Sequence, residues 1–509
     1  MAYVRNDETT PVIAAIGEAI DRPRDLTQAL EPVALIEQVL RAAEDDAGCR
    51  LLHQIDRLHI IGITSWRYSN PCRDVCVRLD LSPKVMDNAD MGGDKPTRLI
   101  HRAATDIRHG RAQMVAIAGG EAQNSFRKAR RSEYKLDWSP RVTPEEAWGK
   151  LGDTTLGAGR AAATLGIRSA AQIYPLFENA YGSSHHQTPT EGLKQSADLW
   201  SRYAAASQDN PYAWSQKGYP ANEIAEISES NRMINFPYPK LMVANDSVNM
   251  AATVIVTSLA FARRLGLKED RLTYIVGGSE AEEPADFLQR PNYHTCPAQS
   301  AVLDDVMKQL GRVDRLQHIE LYSCFPVVPK MALEALRPFG LSETIGPTVT
   351  GGLTFFGGPM NNYMTHACCA MVRRLRGDDD TYGLLYGQGG VMTKHHGLLL
   401  AASPNDAPYE PALSAQDVAN RERKPAPTVA DSYTGSAQVE TYTAFYDRQG
   451  DPTSGLVIAR TPQGERVVAR TADGDHGSLE LLTDFNESAV GAIGQVRRSH
   501  DGTLRWFAD

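Results

Sequence analysis

Residues Thr350–Tyr363 read TGGLTFFGGPMNNY and run straight into an apolar helical pattern, THACCAMVRRLR. Glycine is used where the backbone must take a positive φ or pass close to another segment. A glycine-rich loop feeding a helix N-terminus also leaves unpaired N–H groups that suit anions and oxyanions. A tight packing turn uses the same residues. What separates the two readings is whether the chain places a second such loop opposite the first.

It does. Gly92-Gly93-Asp94-Lys95-Pro96 precedes a helical pattern over Thr97–Arg108, and the apolar run Met114–Ala118 ends in Gly119-Gly120. Upstream, Pro11–Gly17 and Leu58–Thr64 read as buried strands. Between them Val33, Ile36, Val39 and Leu40 fall at helical spacing within Pro32–Ala43. The series recurs later. Leu272–Val276 is a strand ending in Gly277-Gly278, Ala298–Leu310 a helix, and His318–Tyr322 a strand leading into Ser323-Cys324-Phe325-Pro326. A helix around Lys330–Leu336, the Gly357-Gly358-Pro359 loop, a helix over Met364–Leu375, a strand over Gly383–Tyr386 ending in GQGG, and a strand over Leu398–Ala402 complete it. Gly92–Pro96 thus corresponds to Gly357–Pro359, and Gly119-Gly120 to Gly389-Gly390. Internal repetition fixes architecture. Here it predicts two similar α/β halves with both glycine loops facing a shared cleft. Strands apolar throughout suit sheets covered on both faces, and the element order predicts parallel strands with right-handed crossovers.

Three stretches stand outside the repeat. Residues 121–235 are rich in polar, aromatic and turn-forming types and are expected to form an inserted, mostly helical subdomain over a ligand site. Asn249–Leu265 (NMAATVIVTSLAFARRL), followed by Gly266, is expected to be a strongly apolar helix. A Pro/Ala/charge-rich break near 403–427 reads as a linker, and short strands with Gly/Asp turns beyond it read as a small antiparallel barrel or sandwich. The domain expectation is a first half at 1–270 that includes the insertion, a second half at 271–405, a linker at 406–424 and an additional domain at 425–509.

Composition narrows the function classes. Hydrophobic content of 42% and charged content of 23% are those of a globular protein. A net charge of −9 leaves no basic excess to neutralise phosphates, so no nucleic-acid partner is expected. The basic run Arg127–Arg131 reads as a solvated face or a local anion contact. No apolar run reaches the roughly 18 residues a membrane span needs, and the first residues lack a signal-peptide pattern, so a cytoplasmic location without membrane insertion is expected. Seven cysteines without metal-site spacing predict neither a disulfide framework nor a metal centre.

Several segments carry a resemblance. Gly119-Gly120-Glu121 after its strand resembles the AGG-x-E segment of the thiolase superfamily, and Asn245–Thr253 (NDSVNMAAT) its SG-x-x-DGAAA segment. Pro347–Asn361 is similar to that superfamily's last glycine loop. LYSCFP, NPYAW, NRMINFPYPK and GQGGVMTKH point more narrowly to the thiolase-like protein type 1 group of the sterol-carrier-protein-thiolase-like branch, often labelled acetyl-CoA acetyltransferases. That resemblance covers about residues 10–402. It implies a duplicated five-layered αβαβα core with a helical insertion. The C-terminal strands resemble the group's extra domain, whose fold is similar to an oligonucleotide-binding barrel.

The resemblance implies coenzyme A or an acyl-CoA thioester as substrate or ligand, no covalently bound cofactor, and a monomer or homodimer. Thiolase chemistry needs a thiolate, a base, a second cysteine and an oxyanion hole. Here the nucleophile position falls on Gly93 or Asp94, the histidine position on Gly358, and the NEAF loop on Tyr322-Ser323-Cys324-Phe325. The last cysteine falls on Leu385 or Tyr386. The remaining candidates are Cys324 as a displaced nucleophile or acid, or a small buried residue, and Asp94 as a general base or a helix-terminal carboxylate. Tyr322, Tyr363 and Tyr386 are candidate proton donors or core aromatics. His395 is a further candidate, pointing opposite to Lys394 and His396 along its strand. His185 and His186 read as lid or surface residues and His366 as structural. For binding, the pantetheine arm is expected near Asn245 and Ser247 beside Gly357 and Gly358, with Lys240 as a phosphate or adenine contact. The functional expectation is an acyltransferase-like protein lacking the usual nucleophile. A carbon–carbon lyase of the retro-aldolase type and a non-catalytic CoA- or lipid-binding protein are the alternatives.

Overall fold

A computed structural model describes residues 6–148, 163–342, 344–378, 380–404 and 414–509. Residues 149–162 of the expected insertion and 405–413 around the expected linker lie outside the described residues.

In chain order the core strands are β1 (Pro11–Ile20), β2 (Arg57–Ile60), β3 (Val85–Asn88), β4 (Met114–Ala122), β5 (Met233–Asn235), β6 (Tyr238–Pro239), β7 (Asn249–Ser258), β8 (Thr273–Glu282), β9 (Leu316–Leu321), β10 (Tyr382–Gly389) and β11 (Lys394–Ala401). All but β5 and β6 join one sheet in the order β3-β2-β4-β7-β1-β8-β11-β10-β9. The repeat is visible in that order. β1 and β8 meet antiparallel at the centre, Val12 opposite Tyr274. Outward from there, β7-β4-β2 on one side is matched by β11-β10-β9 on the other. Among the described residues β3 has no counterpart. The segment that precedes the second glycine loop, Thr348–Thr350, is tied instead to a buried carboxylate.

The sheet is mixed rather than parallel. β2 runs parallel to β3 and β4, but β7 lies antiparallel to both β4 and β1. The expected helix over Asn249–Leu265 is therefore a correction. Asn249–Ser258 is a strand buried along its whole length, and only Leu259–Arg264 is helical. The run Thr253-Val254-Ile255-Val256-Thr257 is β-branched throughout, which suits a covered strand. An apolar run of this kind carries no period to separate strand from helix.

The sheet folds around two inner helices, Lys95–Arg108 and Tyr363–Leu375, while Pro32–Ala47 and Pro297–Leu310 cover its outer faces. This is the five-layered αβαβα arrangement. Pro71–Leu79 and Val327–Leu336 add to the outer layers.

Helices Gln123–Arg131, Ala170–Ser184, Pro189–Gln208 and Ala221–Ala225 make up the insertion. Two of them start where capping boxes stand, Ser169 with Gln172 and Thr188 with Glu191. A buried pair, Lys330 with Glu178, ties the insertion to the second half. Tyr238 adds a 2.6 Å hydrogen bond to the other carboxylate oxygen.

The C-terminal strands are β12 (Gly435–Tyr446), β13 (Pro452–Arg460), β14 (Arg466–Thr471), β15 (Ile493–Arg498) and β16 (Leu504–Ala508). They run in the order β13-β14-β16-β15-β12, and β12 pairs with β13 to close the barrel. The barrel is stitched to the core. β5 of the insertion continues its sheet, Asn235 opposite Phe445, and Phe236 N donates to Ala444 O at 2.8 Å. Arg466, fully buried, donates to the carbonyls of Leu288 and Arg290 and pairs with Glu440.

Candidate functional site

Gly351 and Gly352 take φ of 117° and 74°. A Cβ on Gly352 would meet Tyr203 Cδ1 at 2.5 Å and Ser323 Oγ at 2.7 Å. These glycines let the insertion helix Pro189–Gln208 lie directly on the loop. Gly358 N donates to Asn245 O at 2.8 Å, Asn245 N donates to Leu353 O at 3.0 Å, and Gly357 N points to Gly352 O at 3.4 Å. The amides of both glycines are therefore spent inside the protein, and neither is a free oxyanion donor.

The end of the loop reaches the other half. Asn361 accepts from Gly92 N at 2.8 Å and donates to Gly62 O at 2.9 Å. Asn362 donates to Gly119 O at 2.8 Å. The second glycine loop thus docks on the glycines of the first half, and two asparagines are the fasteners.

Behind the loop lies Glu320, fully buried on β9. One of its oxygens accepts from Thr348 Oγ1 (2.8 Å), Val349 N (2.9 Å) and Thr350 N (3.2 Å). The other accepts from Tyr363 OH at 2.6 Å. Burial pushes its pKa up to about 7, partly offset by those hydrogen bonds. Tyr363 is fully buried and also 2.7 Å from Thr350 Oγ1. Its hydroxyl is committed to this network. Glu121 does similar work in the first half, binding Thr64 N at 2.7 Å and Ser65 N at 2.8 Å.

Asp94 precedes the helix Lys95–Arg108 and is 2% exposed. Its side chain makes no capping hydrogen bond, and Oδ1 has no hydrogen-bond partner. Burial pushes its carboxyl above the ordinary range against the attraction of Lys95, Lys394 and Arg98. The carboxylate lies over the backbone of Gly389, where any added side chain would collide with it. A Cβ on the neighbouring Gly93 would meet Tyr322 Cζ at 2.7 Å and Gln388 O at 2.5 Å. The Tyr322 hydroxyl thus fills the space a side chain at Gly93 would need. Tyr322 stands edge-on to Tyr363 with ring centroids 5.7 Å apart.

The remaining candidates divide between the two faces of β10 and β11. Gly387 pairs with His396 and Gln388 with His395, so His396 shares the inner face with Gly387 and Gly389. There it meets His101 of the inner helix, Nδ1 to Nε2 3.0 Å. Tyr386 and His395 lie on the outer face, toward Pro297–Leu310. Tyr386 OH is 2.6 Å from His395 Nδ1, and His395 Nε2 is 3.3 Å from Cys296 Sγ. The structure does not bring Tyr386 and His395 to Asp94.

Cys324 is partly buried, 3.8 Å from Gln388 Oε1, which also accepts from Tyr174 OH at 2.8 Å. Burial pushes the Cys324 thiol up to about 12, so it is not a thiolate near neutral pH. Ser247 accepts from Asn124. Lys240 is exposed on the insertion. His185 and His186 lie at the end of an insertion helix, and His366 is buried 2.7 Å from Glu18. Among the described residues no cluster of His, Cys, Asp or Glu is arranged to hold a metal ion, and no helix is long and apolar enough to cross a membrane.

Sequence reasoning missed Glu320, Asn361 and Asn362. A glutamate inside the apolar strand HIELY and an Asn-Asn pair after Gly-Gly-Pro were the available signals.

Residues 419–503 match the family described as the thiolase-like protein type 1 additional C-terminal domain. The structure of a monomeric SCP2-thiolase like protein type 1 from Mycobacterium smegmatis matches with a TM-score of 0.81 and 26% identity, covering 99% of this chain and 100% of that one. The chain has the thiolase fold and carries a C-terminal domain that matches the type 1 additional domain. Two further structures match about three quarters of the chain. The Ltp2-ChsH2(DUF35) aldolase does so with a TM-score of 0.57 and 18% identity over 77% of this chain and 98% of that one. Human mitochondrial 3-ketoacyl-CoA thiolase in complex with CoA has a TM-score of 0.55 and 15% identity over 78% and 99%. No curated protein matches the sequence.

Proposed function

We propose that this thiolase-like protein acts on acyl-CoA thioesters by acid–base chemistry rather than by acyl transfer to a thiolate. One observation carries the reading. At the head of the inner helix, where the thiolase resemblance implies a nucleophile, Tyr322 fills the side-chain space of Gly93 and a desolvated Asp94 carboxylate stands beside it. A base with a raised pKa next to a hydroxyl suits proton transfer. The reaction that fits is retro-aldol cleavage of a β-hydroxyacyl-CoA. Asp94 takes the hydroxyl proton, the Cα–Cβ bond breaks to give a carbonyl product and an acyl-CoA enolate, the Tyr322 hydroxyl gives a proton to the enolate carbon, and the proton held by Asp94 then restores the Tyr322 phenol. The fold-level likeness to an aldolase is in keeping with this. The pantetheine arm is assigned to the side of the loop held by Asn245 and Ser247, with Lys240 at the phosphates. The functional unit is taken to be a monomer, in keeping with the mycobacterial relative. The barrel is taken to be similar to an oligonucleotide-binding fold in topology, with no nucleic-acid role.

The filled cleft favours a second reading, non-catalytic binding of acyl-CoA. The test is a panel of β-hydroxyacyl-CoA substrates with chromatographic detection of the carbonyl and acyl-CoA products. Cleavage lost in Asp94→Asn and Tyr322→Phe supports the proposal. Binding without turnover supports the second reading. An acyl adduct on Cys324 by intact mass after incubation with acetyl-CoA overturns both in favour of transfer.

A further inference from the structure

Arg470 and Arg505 are direct register partners on the parallel strands β14 and β16. Residues opposite one another on paired strands present their side chains to the same face, and like charges there are destabilising. Nothing nearby fully neutralises this pair. Arg505 has Asp501 at 3.8 Å, whereas Arg470 has no ion-pair partner among the described residues and its Nε is buried without a hydrogen bond. Arg470 is held above the Phe445 ring, 5.0 Å from its centroid, with one terminal nitrogen 3.4 Å from Ser454 Oγ. Arg505 is held by a 3.1 Å bond to Thr471 O. Both guanidinium groups are thus positioned by the barrel and neither is buried in an ion pair.

The two arginines line a cavity of about 520 Å³ between the barrel and the insertion. Thr453, Ser454 and Thr503 bring hydroxyl groups to it, and the Thr164–Gly166 turn of the insertion closes the opposite wall. Gly166 takes φ of 71°, and a Cβ there would stand 3.8 Å from Arg470. Asp473 is the one acidic residue among those lining it. Burial, and after it repulsion from Arg505, weaken the hold of Arg470 on its proton against the attraction of Asp473.

We infer that this cavity is an anion site for a small phosphate-bearing ligand, a diphosphate or phosphomonoester, held by Arg470 and Arg505 with hydroxyl donors around them. A planar guanidinium pair with spare donors matches phosphate oxygens, and a bound anion relieves the cross-strand repulsion. The site lies on the barrel, apart from Asp94 and Tyr322, and does not depend on the acyl-CoA reading. The diphosphate could come from a free phosphate compound or from the nucleotide end of a CoA thioester.

The test is isothermal titration of the full chain with inorganic pyrophosphate, ADP, CoA and, as a matched-ionic-strength control, sodium chloride. Saturable pyrophosphate binding, weakened about 10-fold or more in Arg470→Gln and in Arg505→Gln, is expected, since a charge-assisted hydrogen bond contributes on the order of a tenfold factor or more in affinity. Arg470→Lys, which keeps the charge, is expected to retain part of it and controls for folding. Asp94→Asn is expected to leave it unchanged. CoA binding that falls in parallel with pyrophosphate in the arginine variants assigns the nucleotide end of CoA to this cavity. Pyrophosphate binding with CoA unaffected assigns a free phosphate compound. Absence of saturable pyrophosphate binding, or equal affinity in folded Arg470→Gln and wild type, overturns the inference.

Discussion

The Tyr322 ring stands in the volume that any side chain at Gly93 would occupy, its Cζ 2.7 Å from the position of a Cβ there. A residue of the second half fills the space beside a glycine of the first. That contact bears directly on any attempt to place a cysteine at Gly93.

Gly93→Cys is expected to destabilise the fold by about 1–3 kcal/mol, the usual penalty for overpacking a close-packed site. It is not expected to yield an acyl-enzyme. Tyr322→Phe in the same chain should recover part of the loss, because the hydroxyl is among the atoms in the way. Chemical denaturation of the four variants of the cycle measures the coupling.

Glu320 gives the protein a pH signature. Burial raises its pKa to about 7 from an ordinary 4.5. Between those values the folded state keeps a proton that the unfolded state has released, so this group makes stability fall as pH rises through that window. The slope is at most about 1.4 kcal/mol per pH unit. Glu320→Gln should flatten urea-derived stability between pH 5 and 7 by about that slope. An unchanged profile would rule out the assignment.

Asp94→Asn removes a desolvated charge that has no hydrogen-bond partner on Oδ1. Stability above neutral pH is expected to rise by about 1 kcal/mol, the lower end of the cost of an unsatisfied buried group. Thermal melts at pH 8 test this without reference to activity.

Asn361→Ala and Asn362→Ala each break a side-chain bridge between the halves and leave backbone groups of Gly92, Gly62 or Gly119 unpaired. Each should cost about 1–3 kcal/mol. Because both fasten one loop to one surface, their effects should be non-additive in a double-mutant cycle.

Arg466→Ala strips the barrel of its buried contacts to the Leu288 and Arg290 carbonyls and leaves Glu440 with Arg460 alone. A loss of about 3–5 kcal/mol is expected, as for breaking other buried ion pairs. Limited proteolysis near residue 424 should accelerate in step.

The duplicated architecture was legible because glycine pairs punctuate strand ends, and punctuation survives when side chains change. The Asn249–Ser258 strand was not. A strand covered on both faces and a buried helix are equally apolar, and only its β-branched run pointed the right way. A small C-terminal β domain was readable from short strands and turns, whereas the choice between barrel and sandwich, and the parallel pairing of β14 with β16, depended on strand pairing. The candidate site was half readable. Asp94 and Tyr322 were recognised as possible acid–base groups, but which face of β10 and β11 each residue occupies depends on register. That placed Tyr386 and His395 on the outer side, away from Asp94. Glu320 escaped notice because a buried carboxylate announces itself only through the amides around it.

The pairing of β5 with β12 gives the insertion and the barrel a shared hydrogen-bonded ladder. A chain ending after residue 404 would therefore present the β5–β6 hairpin as a bare edge and uncover Phe236, which packs against Tyr442 and Phe485. Such an edge invites association with another chain. The barrel covers that edge, and a truncated core is predicted to be a poor surrogate for the whole protein in any functional assay.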